Sequence, residues 1–324
     1  MKSHLSKTFL LISYGAPEVK EDVIPFLNNL LANNVDSAIL SNRVAAAAEK
    51  YYNMERQTGK LSPLNKECQN LIAGIFRETK QHDNISLNIY WGNLFWHPLL
   101  EDTVAKMTNE GIKQAICLTT SMFDSGKSSK RYANALEKAK QKIGSAAPIF
   151  EMLPLFFDHP LFIEAQVDRL LEILEPMIPN KKLTPEMANS ILVLFSAHSI
   201  PKSDLGCSNY VAQLRQTCLS IIEQCSMPTL SWELVFQSQS GIMEHWLQPD
   251  IKERVREIAA TGQYQSIVVL PIGFFCENME TVHDLDLEIG ELCCQSGLEF
   301  HRAKTVGTLP KICKMIAAEI IKQK

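Results

Sequence analysis

Apolar runs rich in β-formers alternate with helical periodicities along the whole chain. Runs such as ILVLFSA and SIVVLPIG carry apolar residues on both alternations, as parallel strands buried on both faces do. The pattern predicts strands at 8–14, 85–91, 115–120, 148–153, 190–196, 230–236, 266–272 and 299–304. Between them lie helical patterns such as 99–109 and 251–260. Each of these two is followed by a glycine, Gly111 or Gly262, able to take the left-handed cap. Strands separated by helices predict an α/β fold.

The two helices belong to a repeated unit. Pro98, Val104, Gly111, Gln114 and Ile116 recur as Pro249, Val255, Gly262, Gln265 and Ile267, at one constant spacing. With four strands per repeat, the expectation is two similar Rossmann-like halves. Each would be a four-stranded parallel sheet flanked by helices, with a cleft between the halves. The boundary is expected near Leu155, giving halves at 1–155 and 156–324, with the last helix able to pack back on the first half.

Composition narrows the class. A chain of 324 residues with 46% hydrophobic and 21% charged residues is an ordinary globular protein, long enough for two domains. The net charge of −4 comes with scattered Lys and Arg, which gives no footprint for nucleic acid. No apolar run reaches bilayer length, so no transmembrane segment is expected. The start, MKSHLSKTFLLISYG, lacks a small-residue cleavage site and reads as a first strand. Nine cysteines without CxxC spacing read as plain thiols of a reducing, cytoplasmic compartment. Neither GxGxxG nor GxxxxGK[ST] follows any strand, which argues against a nucleotide-dependent enzyme.

Two places carry chemistry. In PIGFFCENMETVHDLDLEIG a strand turns at Gly273 into a segment where Glu280, Asp284 and Glu288 recur every fourth residue. Such a row drifts about 40° per step in an α-helix and aligns better in a π-helix of about 4.4 residues per turn. Like charges at this spacing destabilise a helix, and a solvated acidic face is the plain alternative. The position past the C-terminal end of a strand, where open α/β sheets bind ligands, favours a ladder of oxygen ligands for a divalent cation. The second place is LVLFSAHSIP, which sets His198 just past a strand of the same half. Histidine facing a carboxylate offers a soft ligand, a hard ligand and two proton acceptors, suited to a first-row metal handled with proton removal. Ser196 and Ser199 lack the GxSxG elbow of a nucleophile.

SYGAPE, SPLN (62–65), WHP (96–98), FSAHSIP, QSxSG (237–241), WLxPDI (246–251) and PIGF…E…DLDxE (271–288), in this order, closely resemble the ferrochelatases. FLNNLL, AAEKYY and SPLN are most similar to the coproporphyrin ferrochelatases of actinobacteria and their relatives. The resemblance implies insertion of ferrous iron, as substrate, into coproporphyrin III or protoporphyrin IX during haem synthesis, with no cofactor required. It implies His198 as pyrrole proton acceptor or iron ligand, Glu280 as the essential glutamate opposite it, and Asp284 and Glu288 as the metal path. Tyr14 matches a tyrosine approaching the metal from the other porphyrin face. Lys50, Tyr51, Ser62 and Tyr132 match positions that contact the macrocycle or its propionates.

The chain also departs from the family. Leu94 and Phe95 stand where many relatives have Arg and Tyr, Asn278 replaces a histidine, Gln239 an arginine and Phe123 a histidine, and Leu31 and Ala32 stand where an arginine is expected. Several lost groups are cationic, and Lys127, Lys130 and above all Arg131 are candidates to replace the charge toward propionates. A porphyrin carrier with little turnover, or a chelatase for another metal or tetrapyrrole, remains as the alternative. A monomer is expected. An iron–sulfur cluster is not, with only Cys293, Cys294 and Cys313 near the C-terminus.

Overall fold

A computed structural model describes residues 5–32, 37–82, 85–178, 184–239 and 245–323. Ser240 and Gly241, which close the QSxSG stretch, and the Lys127 side chain lie outside the described residues.

Each half builds one sheet. In the first, β1 (Leu5–Ser13), β2 (Ile85–Asn93), β3 (Gln114–Thr119) and β4 (Ile149–Met152) lie in the order β2-β1-β3-β4. In the second, β5 (Ile191–His198), β6 (Ser231–Gln237), β7 (Ser266–Leu270) and β8 (Glu299–Arg302) lie in the order β6-β5-β7-β8. All pairings are parallel. The chain therefore has the expected α/β architecture of two alike four-stranded sheets flanked by helices.

The repeat extends to register. Ile116 pairs with Phe9 in the first sheet and its counterpart Ile267 with Leu192 in the second. Gly111 and Gly262 take φ of 77° and 62°, and Pro98 and Pro249 both follow cis bonds. Most strand ends shift by a residue or more from the sequence expectation, and two of these shifts bear on the site. β7 stops at Leu270 because Pro271 has no N–H for the ladder. β5 runs on to His198, which pairs with Gln237, so the histidine is the last residue of the strand rather than the first of a loop.

By contacts, the chain divides into two compact units, Met1–Thr120 with Ser129–Pro154 and Cys313–Lys324, and Ser121–Ser128 with Leu155–Ile312. Ile267, Val268, Val269 and Leu270 are fully buried, as helices on both faces of a parallel sheet require. Among the described residues no helix is long and apolar enough to cross a membrane.

Strand order places the functional ends. After β5 the chain crosses to β6 on one side, and after β7 it crosses to β8 on the other. The C-terminal ends of β5 and β7 therefore flank the switch point where open α/β sheets form their ligand crevice. In the first sheet the same point lies between β1 and β3.

Candidate functional site

His198 and Glu280 are tied to one residue of β6. His198 Nδ1 lies 3.4 Å from the Gln237 carbonyl oxygen, and Gln237 Nε2 donates to the Glu280 carbonyl at 3.4 Å. Tyr210 OH donates to the His198 carbonyl at 3.1 Å. Burial and the nearby Glu280 charge push that phenol well up, so Tyr210 stays a neutral donor. Gly273 lets the chain leaving β7 pass the end of β5. A Cβ there would sit 2.6 Å from Ala197 Cβ, and its N–H donates to the Ser196 carbonyl at 3.1 Å. Asn278, in place of the family histidine, caps the acidic helix, its Oδ1 accepting from the N–H groups of Glu280 (2.8 Å) and Thr281 (3.1 Å).

The acidic segment is a π-helix over Thr281–Ile289. At about 82° per residue, steps of four drift only about 30°, so Asp284 and Glu288 lie on nearly the same side. Asp284 is 3% exposed, and Ser238 Oγ donates to its Oδ2 at 2.5 Å. Ser238 holds φ at 62°, an uncommon conformation for a residue other than glycine. Glu288 Oε2 lies 2.7 Å from Lys252 Nζ, in an ion pair without hydrogen-bond alignment.

His283, absent from the sequence expectation, joins this row. Its Nδ1 lies 3.1 Å from Asp284 Oδ1 and 4.0 Å from Glu288 Oε1. The winding explains the contact. Residues five apart diverge by about 140° around an α-helix but by only about 50° around a π-helix. A reading at intervals of four misses the pair, and the i,i+5 hydrogen bonds of a π-helix are the signal that finds it. Tyr210 was also missed, and Gln237 and Ser238 were read only as part of QSxSG, because their roles depend on strand pairing and a backbone turn.

A buried guanidinium braces the segment. Arg302 donates through Nη1 to both carboxylate oxygens of Glu277, at 2.9 and 3.0 Å, and through Nε and Nη2 to Asp286, at 2.5 and 2.6 Å. Burial pushes the Glu277 carboxyl up, but Arg302 and hydrogen bonds from Thr305 and Thr281 outweigh it and hold it below the usual carboxylate range. Arg302→Leu leaves Glu277 buried without its counter-charge, and about 3–5 kcal/mol of stability should be lost in a denaturant titration. A loss under about 1 kcal/mol would contradict the brace. Because the Glu277 pKa is depressed, its contribution to stability is fully present above the unfolded value of about 4.3. It fades as pH falls through the lower folded value, and Arg302→Leu should flatten this acid limb.

In the first half the motifs meet around β1. Asn65 of SPLN donates to the Ala16 carbonyl (3.0 Å) and to Glu18 (2.9 Å) of SYGAPE. Ser13 donates to Asn93, and Asn93 to the His97 carbonyl of WHP at 3.1 Å. Tyr14, directly after β1, packs edge-on against Phe95 (5.2 Å) and beside Tyr132 (5.4 Å), whose hydroxyl lies 3.1 Å from Thr120 Oγ1. Leu94 joins the apolar cluster that holds Tyr14 and Tyr132, which accounts for an uncharged residue there. Arg131 Nη1 donates to Tyr14 OH at 3.2 Å, with the guanidinium 5.7 Å from the Tyr14 and Phe95 ring centres. Tyr51 is buried against Phe26, at 6.0 Å, next to half-buried Lys50. Ser62 Oγ accepts from the Leu64 N–H at 3.3 Å, at the start of the Leu64–Thr79 helix. Tyr14, Lys50, Tyr51, Ser62, Arg131 and Tyr132 thus all lie in the first unit, while His198, Glu280, Asp284 and Glu288 lie in the second. Gln239 donates to the Leu247 carbonyl at 3.2 Å.

All nine cysteines are free thiols, and eight are buried. Burial pushes Cys293 and Cys313 up to about 11, so neither is a ready thiolate.

Comparisons with known proteins span both sets of residues. The ferrochelatase family model matches residues 6–324. The chain is 34% identical to a ferrochelatase of Rhodopirellula baltica over 95% of this chain and 84% of that protein. It is 33% identical to a coproporphyrin III ferrochelatase of Nocardia farcinica (96% and 86% covered) and 36% to one of Frankia alni (95% and 77%). Among solved structures, SirB from Bacillus subtilis with Fe3+ shares the fold. Its TM-score is 0.56 at 12% identity, over 98% of this chain and 95% of that one.

Proposed function

The chain belongs to the ferrochelatase family, and from that premise we propose how its residues divide the insertion of ferrous iron into a porphyrin. The reaction exchanges two pyrrole N–H protons for one metal ion, so it needs a proton acceptor and a path along which a hydrated cation sheds water. His198 accepts the pyrrole protons or holds the iron at the moment of exchange. Glu280 faces it as the inner carboxylate, and Asp284 and Glu288 deliver the ion from outside. The observation that carries this reading is the shared tie of His198 and Glu280 to Gln237 at the switch point, with the π-helix leading away from it. Iron is the substrate, and no resident cofactor is needed.

Macrocycle contact is assigned to Tyr14, Lys50, Tyr51, Ser62, Arg131 and Tyr132. The guanidinium held on the Tyr14 hydroxyl supports Arg131 as the cation that meets a propionate. Coproporphyrin III is the proposed substrate, a preference supported by the names of the Nocardia and Frankia relatives. The proposed setting is the cytoplasm, as a monomer, consistent with nine free thiols.

Arg131 gives the test of this reading. Arg131→Ala should weaken coproporphyrin III binding by about 1–3 kcal/mol, the worth of a charge-assisted hydrogen bond. Protoporphyrin IX, with two propionates in place of four, should lose less. Fluorescence quenching on porphyrin titration measures both. Unchanged coproporphyrin III binding would remove Arg131 from propionate recognition.

A further inference from the structure

We infer that His283 makes the outer end of the metal path a three-ligand N,O,O station, selective for borderline first-row cations over Mg2+ and Ca2+. The inference rests on the chelatase reading for its purpose but on geometry for its existence. A His283 ring nitrogen, an Asp284 oxygen and a Glu288 oxygen all lie within 4.8 Å of one another. A tetrahedral cation with bonds of about 2.0–2.2 Å sets its ligands about 3.3–3.6 Å apart. The 3.1 Å and 4.0 Å separations of Nδ1 from the two carboxylates bracket that value, so small side-chain rotations close the site.

The surroundings favour a cation that binds nitrogen. A ladder of oxygens alone suits hard ions, and Mg2+ is the abundant competitor for it. Imidazole shifts the preference toward iron, zinc, cobalt and nickel. His283 and Asp284 are 5% and 3% exposed, so these two donors are already stripped of most of their water. Ser238 Oγ, on Asp284 Oδ2, orients that carboxylate with Oδ1 toward the imidazole.

Lys252 completes the arrangement. Its ammonium lies 2.7 Å from Glu288 Oε2, and it stands in for the metal's charge when the station holds no ion. Arrival of a dication displaces the ammonium from Glu288, and departure lets it return. Metal loading is thus an exchange of cations, and the bound ion is held loosely enough to move on.

The test is Co2+ titration of the full-length protein without porphyrin, followed by visible absorption. Co2+ bound through His283 should persist in His198→Ala, because His198 is not among the three ligands of the station. His283→Gln, which can still donate a hydrogen bond to Asp284, should weaken binding by about tenfold or more. Zn2+ should displace Co2+ at stoichiometric levels, and a large excess of Mg2+ should not. Lys252→Met should tighten binding. Equal Co2+ affinity in His283→Gln and parent overturns the inference, as does displacement by Mg2+ as easily as by Zn2+. Lys252→Met binding no more tightly than parent overturns the cation exchange. Should His283→Gln fail to fold, paramagnetic broadening of the His283 ring resonance in the parent decides, its absence overturning the inference. Iron insertion measured in parallel separates the two readings. Co2+ bound through His283 in a protein that inserts no metal would sink the chelatase reading and leave the station. Insertion by a parent whose His283→Gln form binds Co2+ normally would do the reverse.

Discussion

His198→Ala is expected to lower iron insertion by at least about 10²-fold while leaving the fold intact, the usual cost of losing a positioned base. The fold should tolerate the change because the imidazole is half-buried and its Nδ1 contact to the Gln237 carbonyl is long, at 3.4 Å. The structural bonds at this position belong to the backbone. The His198 carbonyl accepts from Tyr210, and the residue pairs with Gln237 in the sheet, neither of which needs the ring. Thermal melting should therefore separate the catalytic loss from a stability loss. Normal turnover by a folded His198→Ala protein would remove the residue from the mechanism.

The second large effect is graded along the π-helix. Glu280→Gln keeps volume and hydrogen-bonding capacity but removes the charge nearest the exchange, and near-total loss of insertion is expected with porphyrin binding retained. Asp284→Asn and Glu288→Gln should mainly raise the iron concentration needed for half-maximal rate, because outer positions deliver the ion without touching the chemistry. Of these two, Asp284→Asn should disturb the protein more, since its carboxylate is buried between Ser238 and His283. Initial rates across an iron series measure all three. Equal loss at every position, with unchanged dependence on iron, would contradict a graded path.

The sequence made the architecture legible because parallel strands buried on both faces read as unbroken apolar runs, and because the repeat at Pro98 and Pro249 fixed a two-half plan. The strand ends were less legible. Pro271 cuts β7 short, and pairing to Gln237 draws His198 into β5, and pairing is a long-range fact. The acidic row was visible as an interval of four, but its partner His283 was not. Its spacing of five from Glu288 becomes a contact under π winding, in a segment that Arg302 braces through Glu277 and Asp286. Asn278 shows the opposite case. It counted as a loss against the family pattern, yet it caps the helix that carries Glu280. Arg131 was legible as a spare cation, while its seat on the Tyr14 hydroxyl required the helix after β3 and the end of β1 to be adjacent.

The most direct test of iron insertion by this constellation is anaerobic mixing of the protein with coproporphyrin III and ferrous iron, followed at the Soret band. The parent should convert the free porphyrin spectrum to that of the iron porphyrin over many turnovers. Glu280→Gln should show the shift of bound porphyrin and no conversion. A parent that binds coproporphyrin III and leaves its spectrum unconverted in the presence of ferrous iron would contradict the account.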